Sequence, residues 1–332
     1  MKKSIILIFI FGIALFGSRK IYHYYLFGMY KLPDIAMIMT IQKGDSFNKI
    51  ASSLYEQGII RNQFLFTVFA KIRNIEGQIK AGEYEVTSPT SYNKLFNLMT
   101  SGKSITYKIT IPEGYNIYEI ADVLVHTKII VNKDAFIEKV FDPELLTKYR
   151  INNISFEGYM YPETYFLTKI MSIPDIIDSM VREFKKHMSP AFIQRAEEIG
   201  LSVNELITLA SIIEKETSVS SERPLISSVF HNRLEQKMRL QTDPTVIYGI
   251  PNYNGNITKE DLLRATPYNT YVNYGLPIGP IANPGVESIQ AALYPPRTKY
   301  LYFVAKGDGT HYFSETLEEH NKAVKRYQLG QK

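Results

Sequence analysis

Apolar residues recur at Leu206, Leu209, Ala210, Ile212 and Ile213, the spacing of a buried helical face. Ser202, with Glu205 three positions on, reads as a capping box in which each side chain satisfies a free amide at the helix start. The predicted helix closes on Glu214-Lys215-Glu216-Thr217. Extending the apolar stripe by one turn lands on Glu216, while Glu214 lies about 200° away round the axis. A carboxyl held among apolar side chains has its charged form disfavoured, which is what a general acid needs. On pattern alone, a solvated and charged helix end competes with that reading.

The N-terminus is patterned differently. A basic start, Met1-Lys2-Lys3, precedes an almost purely apolar run from Ile5 to Phe16. The run is short for a membrane span, and its length suits a signal peptide. Leu15 and Phe16, however, crowd the positions where a cleavage site needs small residues. Ile21-Tyr22-His23-Tyr24-Tyr25-Leu26-Phe27 then supplies an aromatic belt of the kind found at membrane interfaces. The segment reads as an uncleaved, single-pass signal anchor in the cytoplasmic (inner) membrane, with the remainder on the extracytoplasmic side. A cleaved signal is the alternative.

Beyond Leu32-Pro33-Asp34 a weak internal repeat emerges. Ile41, Gly44, Phe47, Ile50-Ala51 and Leu54 align with Ile111, Gly114, Ile117, Ile120-Ala121 and Leu124, seventy positions later. Each copy predicts a strand, a Gly turn, a polar cap (Ser46, Asn116) and an amphipathic helix. A second strand over Ala81–Val86 and a second helix over Tyr92–Thr100 give a β-α-α-β unit like LysM modules, though small units of this kind are common. From about Lys133 to Glu235 the pattern is mostly helical. Leu240 to Pro296 is rich in Gly, Pro, Asn, Thr and Tyr with aliphatics interleaved, the mixture of a binding loop rather than of disorder. Tyr300–Ala305 and Thr310–Phe313 flank Lys306-Gly307-Asp308-Gly309 as a hairpin, and a last helix starts near Ser314 or Thr316. The expected fold is α+β: an anchor (1–30), a small LysM-like module (36–104) and a mainly helical catalytic domain with a β-rich loop and hairpin region (105–330).

Composition narrows the chemistry. The 332 residues suggest two or three domains, and the net charge of +5 without a Lys/Arg block gives no support for nucleic acid. With no Cys, a disulfide framework, a thiol nucleophile and a Cys-based zinc site are excluded. The six His residues show no metal-ligand spacing, and neither a nucleotide-binding Gly loop nor a serine nucleophile elbow is present. Carboxylate chemistry remains. With no Trp but 24 Tyr and 18 Phe, any flat sugar-stacking surface is Tyr or Phe. Phe156-Glu157-Gly158-Tyr159-Met160-Tyr161-Pro162-Glu163-Thr164-Tyr165 surrounds acids with aromatics, as in a carbohydrate cleft or in a Tyr-rich core junction. Glu157 and Tyr161 are its candidate sugar-binding residues.

Several segments resemble the YceG-like (MltG-like) endolytic murein transglycosylases. They are Leu209-Ala210-Ser211-Ile212-Ile213-Glu214-Lys215-Glu216-Thr217, Ser228-Val229-Phe230-x-Asn232-Arg233-Leu234 and Arg239-Leu240-Gln241-Thr242-Asp243-Pro244-Thr245-Val246-Ile247-Tyr248-Gly249. Tyr268-Asn269-Thr270-Tyr271, Gly275-Leu276-Pro277-x-Gly279-x-Ile281-Ala282-x-Pro284-Gly285 and Tyr300-Leu301-Tyr302-Phe303-Val304-Ala305 continue the likeness, which spans nearly the whole chain. The resemblance implies a lyase that cleaves the β-1,4 bond between N-acetylmuramic acid and N-acetylglucosamine and leaves 1,6-anhydromuramic ends. It puts the catalytic acid on Glu216, needs no cofactor and no metal, and names peptidoglycan strands, the cytoplasmic membrane and glycan-synthesising enzymes as partners. Tyr159 and Tyr161 stand where the family often has Trp.

One acid suffices for such a reaction. Ordinary glycosidases use two carboxyls, but in a lyase the sugar's own C6 hydroxyl replaces water. Gln241, Thr242, Asn269 and Tyr271 are candidate hydrogen-bonding partners for N-acetyl or hydroxyl groups. Two other readings stay open: a hydrolytic muramidase with Glu157, Glu214 or Asp243 as water-activating base, and a non-catalytic wall-binding scaffold.

Overall fold

The structure, a computed structural model, describes residues 2–250 and 253–330, with side chains from residue 5 onward. The side chains of the basic start Met1-Lys2-Lys3 thus lie outside the described residues. The chain divides into two compact units, residues 1–107 with 166–171, and residues 108–165 with 172–332.

In the first unit, α1 (Lys2–Phe27) is one continuous helix. Its Ile5–Phe16 face is exposed, but its last turns are not free: Leu26 is buried, and Tyr22 packs edge-on against Phe69 at 5.1 Å. Part of the predicted aromatic belt therefore docks into protein. β1 (Ala36–Ile41), α2 (Phe47–Glu56), α3 (Gln63–Ile72), β2 (Gly82–Thr87) and α4 (Tyr92–Ser101) follow. β1 and β2 pair antiparallel, Met39 opposite Tyr84. Phe66 and Phe96 stack at 4.6 Å in the core, with Tyr92 edge-on to Phe66 at 5.1 Å. The second helix of the β-α-α-β unit is α3, not the Tyr92–Thr100 segment, which forms α4 after the second strand.

That correction lengthens the repeat. β3 (Tyr107–Thr110), α5 (Ile117–His126) and α6 (Lys133–Val140) copy β1, α2 and α3. Gly44 (φ 89°) and Gly114 (φ 78°) make the left-handed turns, and Ser46 and Asn116 cap the first helices. Asn62 and Asn132 cap the second helices. Between them, the amides of Ile59 and Ile60 both return to the Leu54 carbonyl at 2.8 and 3.2 Å. Those of Ile129 and Ile130 return to Leu124 at 3.0 and 3.2 Å.

The remaining elements are α7 (Pro143–Tyr149), β4 (Thr164–Leu167), which pairs with β3, α8 (Ile173–His187), α9 (Pro190–Glu198) and α10 (Val203–Glu216). Then come α11 (Arg223–Glu235), α12 (Asp243–Tyr248), α13 (Lys259–Leu263), α14 (Val286–Leu293), the antiparallel hairpin β5 (Tyr302–Ala305) and β6 (His311–Ser314), and α15 (Leu317–Tyr327). α10 is the axis of the second unit, packed by α9, α11, α12 and α14. Every residue from Leu206 to Ile213 is buried, so the helix is enclosed rather than amphipathic. Its polar members are satisfied locally: Thr208 donates to the Asn204 carbonyl, and Ser211 donates to Thr208 and accepts from the Ile281 amide at 3.0 Å. Gly158 (φ 84°) wedges against this helix, where a Cβ would sit 2.6 Å from Pro280 and 2.7 Å from Ile207. The expected β-rich character is confined to the hairpin. Residues 240–296 hold three short helices and, among the described residues, no strand.

Candidate active site

Glu216 is the last residue of α10, fixed in position by the helix below it. The Ser202–Glu205 capping box closes the other end, with both reciprocal bonds present. Beyond Glu216 the backbone turns extended at Thr217. The carboxyl, half-buried, opens onto a cleft of about 440 Å³ lined also by Arg233, Leu240, Gln241, Asp243, Tyr271, Tyr302, His311 and His320. Two larger hollows flank α1 and hold no acid, and a third, of about 620 Å³, is lined by Glu287, which is paired with Arg223.

Burial pushes the Glu216 carboxyl up from 4.5 to about 7. Thr242, whose buried hydroxyl otherwise lacks a well-formed hydrogen bond, lies beside it and opposes the rise. The Asp243 charge adds to the rise, while His311 and Arg233 oppose it. The C-terminal end of α10, with its unpaired carbonyls, further disfavours a carboxylate there. Near neutral pH this carboxyl can both give and take a proton.

The other acid of the motif does something else. Glu214 accepts from Arg223 Nη2 at 3.0 Å and from the Gly285 amide at 3.0 Å. Arg223 also pairs with Glu287 and lies 3.6 Å from Glu113. The two glutamates thus part company, one into an ion-pair cluster and one into the cleft.

Leu240, Gln241, Asp243 and Tyr271 form one wall of the cleft, held by neighbouring threonines. The amides of Gln241 and Thr242 donate to the Thr270 carbonyl and hydroxyl at 3.2 and 3.1 Å, and Thr245 and Thr270 share a hydroxyl contact of 2.8 Å. Gln241 adopts φ 51°, a left-handed conformation unusual for a non-glycine. Tyr271 reaches across to Asp243, its hydroxyl donating to Oδ1 at 2.6 Å. Burial and that neighbouring carboxylate hold the Tyr271 proton on well above the normal phenol range. Asp243 itself sits in the first turn of α12, followed by Pro244.

Three of the six predicted glycan-binding residues lie in or against the cleft, namely Gln241, Thr242 and Tyr271. Asn269 is buried beneath them. Its amide donates to the carbonyls of Asp261, Leu262 and Arg264, and its Oδ1 accepts from the Tyr271 amide at 2.8 Å. Glu157 is fully buried away from the cleft lining, accepting from the Ile117 amide at 3.1 Å, Tyr248 at 2.8 Å and Asn283 at 3.1 Å. Burial raises it to about 8, against the pull of those donors. Tyr161 is also a core residue, stacked on His187 at 3.9 Å.

Residues not singled out from sequence complete the cleft. His311, on β6, meets the buried Glu222 twice, through its amide at 2.8 Å and Nδ1 at 2.7 Å. Arg233, from α11, faces Tyr302 of β5 with its guanidinium carbon 5.2 Å from the ring centre. The hairpin signal was visible, but not that it would bring β5 and β6 to Glu216. Among the described residues no group of three or more His, Asp or Glu is arranged to hold a metal ion.

The chain is similar to several known proteins. The model of the YceG-like family matches residues 39–326. The endolytic murein transglycosylase of Bacillus subtilis is 36% identical over 306 residues, covering 87% of this chain and 84% of the relative. That of Streptococcus pneumoniae serotype 2 is 30% identical over 315 residues, covering 86% of this chain but 57% of its own length. A crystal structure of a yceG-like protein from Listeria monocytogenes superposes with a TM-score of 0.60 at 36% identity, over 87% of this chain and 98% of that one. The chain belongs to the YceG-like family.

Proposed function

We propose that this protein is a membrane-anchored endolytic murein transglycosylase that cuts the β-1,4 bond from N-acetylmuramic acid to N-acetylglucosamine. The observation that carries the reading is a carboxyl raised to about 7 in a cleft, in a chain whose relatives bear that activity in their names. Glu216 donates its proton to O4 of the departing N-acetylglucosamine as the C1–O4 bond breaks. The resulting carboxylate takes the proton of the C6 hydroxyl as O6 bonds to C1. The 1,6-anhydro ring closes, Glu216 is restored, and no water is consumed. Mass spectrometry of glycans released from murein tests this: anhydro ends are expected, and reducing ends would overturn it.

Asp243 favours one competing reading. Among the bases weighed for a hydrolase, Glu214 is tied to Arg223 and Glu157 is enclosed, but Asp243 shares the cleft with Glu216. A hydrolase would use it to activate water, and the same product analysis separates the two.

α1 serves as the anchor, N-terminus inside. Its Ile5–Phe27 stretch is long and apolar enough to cross a membrane, and the helix runs unbroken through Gly17 into turns packed on α3 and α4. Recovery of a soluble extracytoplasmic form beginning after Gly17 would show a cleaved signal instead. The β1-α2-α3-β2 order is that of LysM-like modules, and it suits a glycan-holding role for the first unit. Glycan-synthesising enzymes are the partners that such placement would bring within reach.

A further inference from the structure

Arg233 is a buried cation with one edge left open. Nε donates to the Leu301 carbonyl at 2.6 Å, and Nη1 donates to the carbonyls of Arg239 and Leu240 at 3.2 and 2.8 Å. Those bonds use three of the five guanidinium donors. The two on Nη2 have no partner among the described residues. Tyr302 covers one face of the guanidinium, so its plane is fixed. The residue is only 8% exposed, and it lines the cleft beside Glu216 and Tyr271.

No carboxylate forms an ion pair with Arg233 among the described residues. A buried charge without a counterion is costly. Its field also favours ionised Glu216, which works against a general acid. A cation kept rigid under both penalties has its use in the loaded cleft.

We propose that Arg233 Nη2 binds the acyl oxygen of the 3-O-lactyl group on the muramoyl residue at the scissile bond, and so selects murein over plain N-acetylglucosamine polymers. This rests on the murein reading above. The lactyl group is the substituent that distinguishes the two alternating sugars, and its carboxylate or amide oxygen is a strong acceptor. A fixed two-donor edge suits that oxygen better than a mobile ammonium would. Once seated, the oxygen also draws the cation's field away from Glu216, so that the acid keeps its proton when substrate is present.

The test uses the full chain carrying Glu216→Gln, which removes turnover. Three soluble glycans of equal length are titrated: murein oligosaccharide with a free lactyl carboxylate, the same with that carboxyl reduced to the alcohol, and a chito-oligosaccharide. The carboxylate form should bind about tenfold or more tightly than the other two. Adding Arg233→Lys should weaken binding of the carboxylate form several-fold more than it weakens binding of the chito-oligosaccharide, so that the preference shrinks. Equal affinity for all three ligands, or an equal loss for all three in the Lys variant, overturns the proposal. If Arg233→Lys does not fold, Arg233→Gln is titrated with the same three glycans and should likewise lose the preference for the carboxylate form. Failure of the murein reading would appear elsewhere, as a wild-type chain that releases no glycan from murein.

Discussion

Replacing Glu216 by Gln should silence the enzyme and stabilise it, with the second effect confined to higher pH. The unfolded chain gives up this proton near 4.5, whereas the folded chain holds it to about 7. As pH rises through that window, wild type loses stability that the amide variant keeps, and the loss is complete above the folded value. At 1.36 kcal/mol per pH unit the interval sets a ceiling of about 3.4 kcal/mol. The carboxyl faces an open cleft, so screening reduces this to about 1–2 kcal/mol. For a domain of this size that is roughly 2–8 °C in Tm. Thermal unfolding of the full chain in detergent at pH 4.5, 6 and 8, with glycan release followed in parallel, reads both effects. The Gln variant should match wild type at pH 4.5, exceed it at pH 8, and turn over about 10²–10⁴-fold more slowly. A gain independent of pH, or a variant less stable than wild type at pH 8, would refute the protonation argument. Retained turnover would refute the role of the acid.

Wild-type turnover should fall about tenfold between pH 6 and pH 8 as Glu216 ionises, and Asp243→Asn, by removing a charge that raises Glu216, should move that falling limb to lower pH; a rate unchanged up to pH 9 contradicts this. Asn269→Ala should cost about 2–3 kcal/mol in chemical denaturation, because three carbonyls lose their donor. Gln241→Asn, which tolerates the left-handed backbone, should instead slow glycan release while leaving the denaturation midpoint almost unchanged. Gly158→Ala should destabilise by about 3 kcal/mol or more, combining positive φ with overlap on Pro280 and Ile207; a midpoint within error of wild type would show that the α10 environment yields easily.

Local chemistry was legible in the sequence wherever it acts over a few residues. The Ser202–Glu205 box, the Lys306–Gly309 turn and the Asn116 cap follow from side chains bonding to nearby backbone. The second half of the repeat was also present in the chain, as Ile59-Ile60-x-Asn62 and Ile129-Ile130-x-Asn132, although only the first half was recognised. Asn269 marks an ambiguity that sequence does not resolve. An amide that suits a sugar hydroxyl suits a loop carbonyl equally well, and here three carbonyls claim it. Glu157 and Tyr161 sit in an aromatic run that composition alone does not assign to core or cleft. Arg233 and His311 were beyond reach for another reason. Their partners Leu301 and Glu222 are 68 and 89 residues away in sequence, a pairing set only by how α11 and the hairpin pack.

One wall of the Glu216 cleft is made by Tyr302–Ala305, His311 and the inner face of α15, including Leu317, His320 and Val324. Translation runs from N- to C-terminus, so α1 and Glu216 leave the ribosome before these residues exist. Until they arrive, the carboxyl faces water without its enclosing wall, and its proton affinity lies closer to that of a free glutamate. A nascent or prematurely terminated chain therefore carries the acid without the setting that arms it.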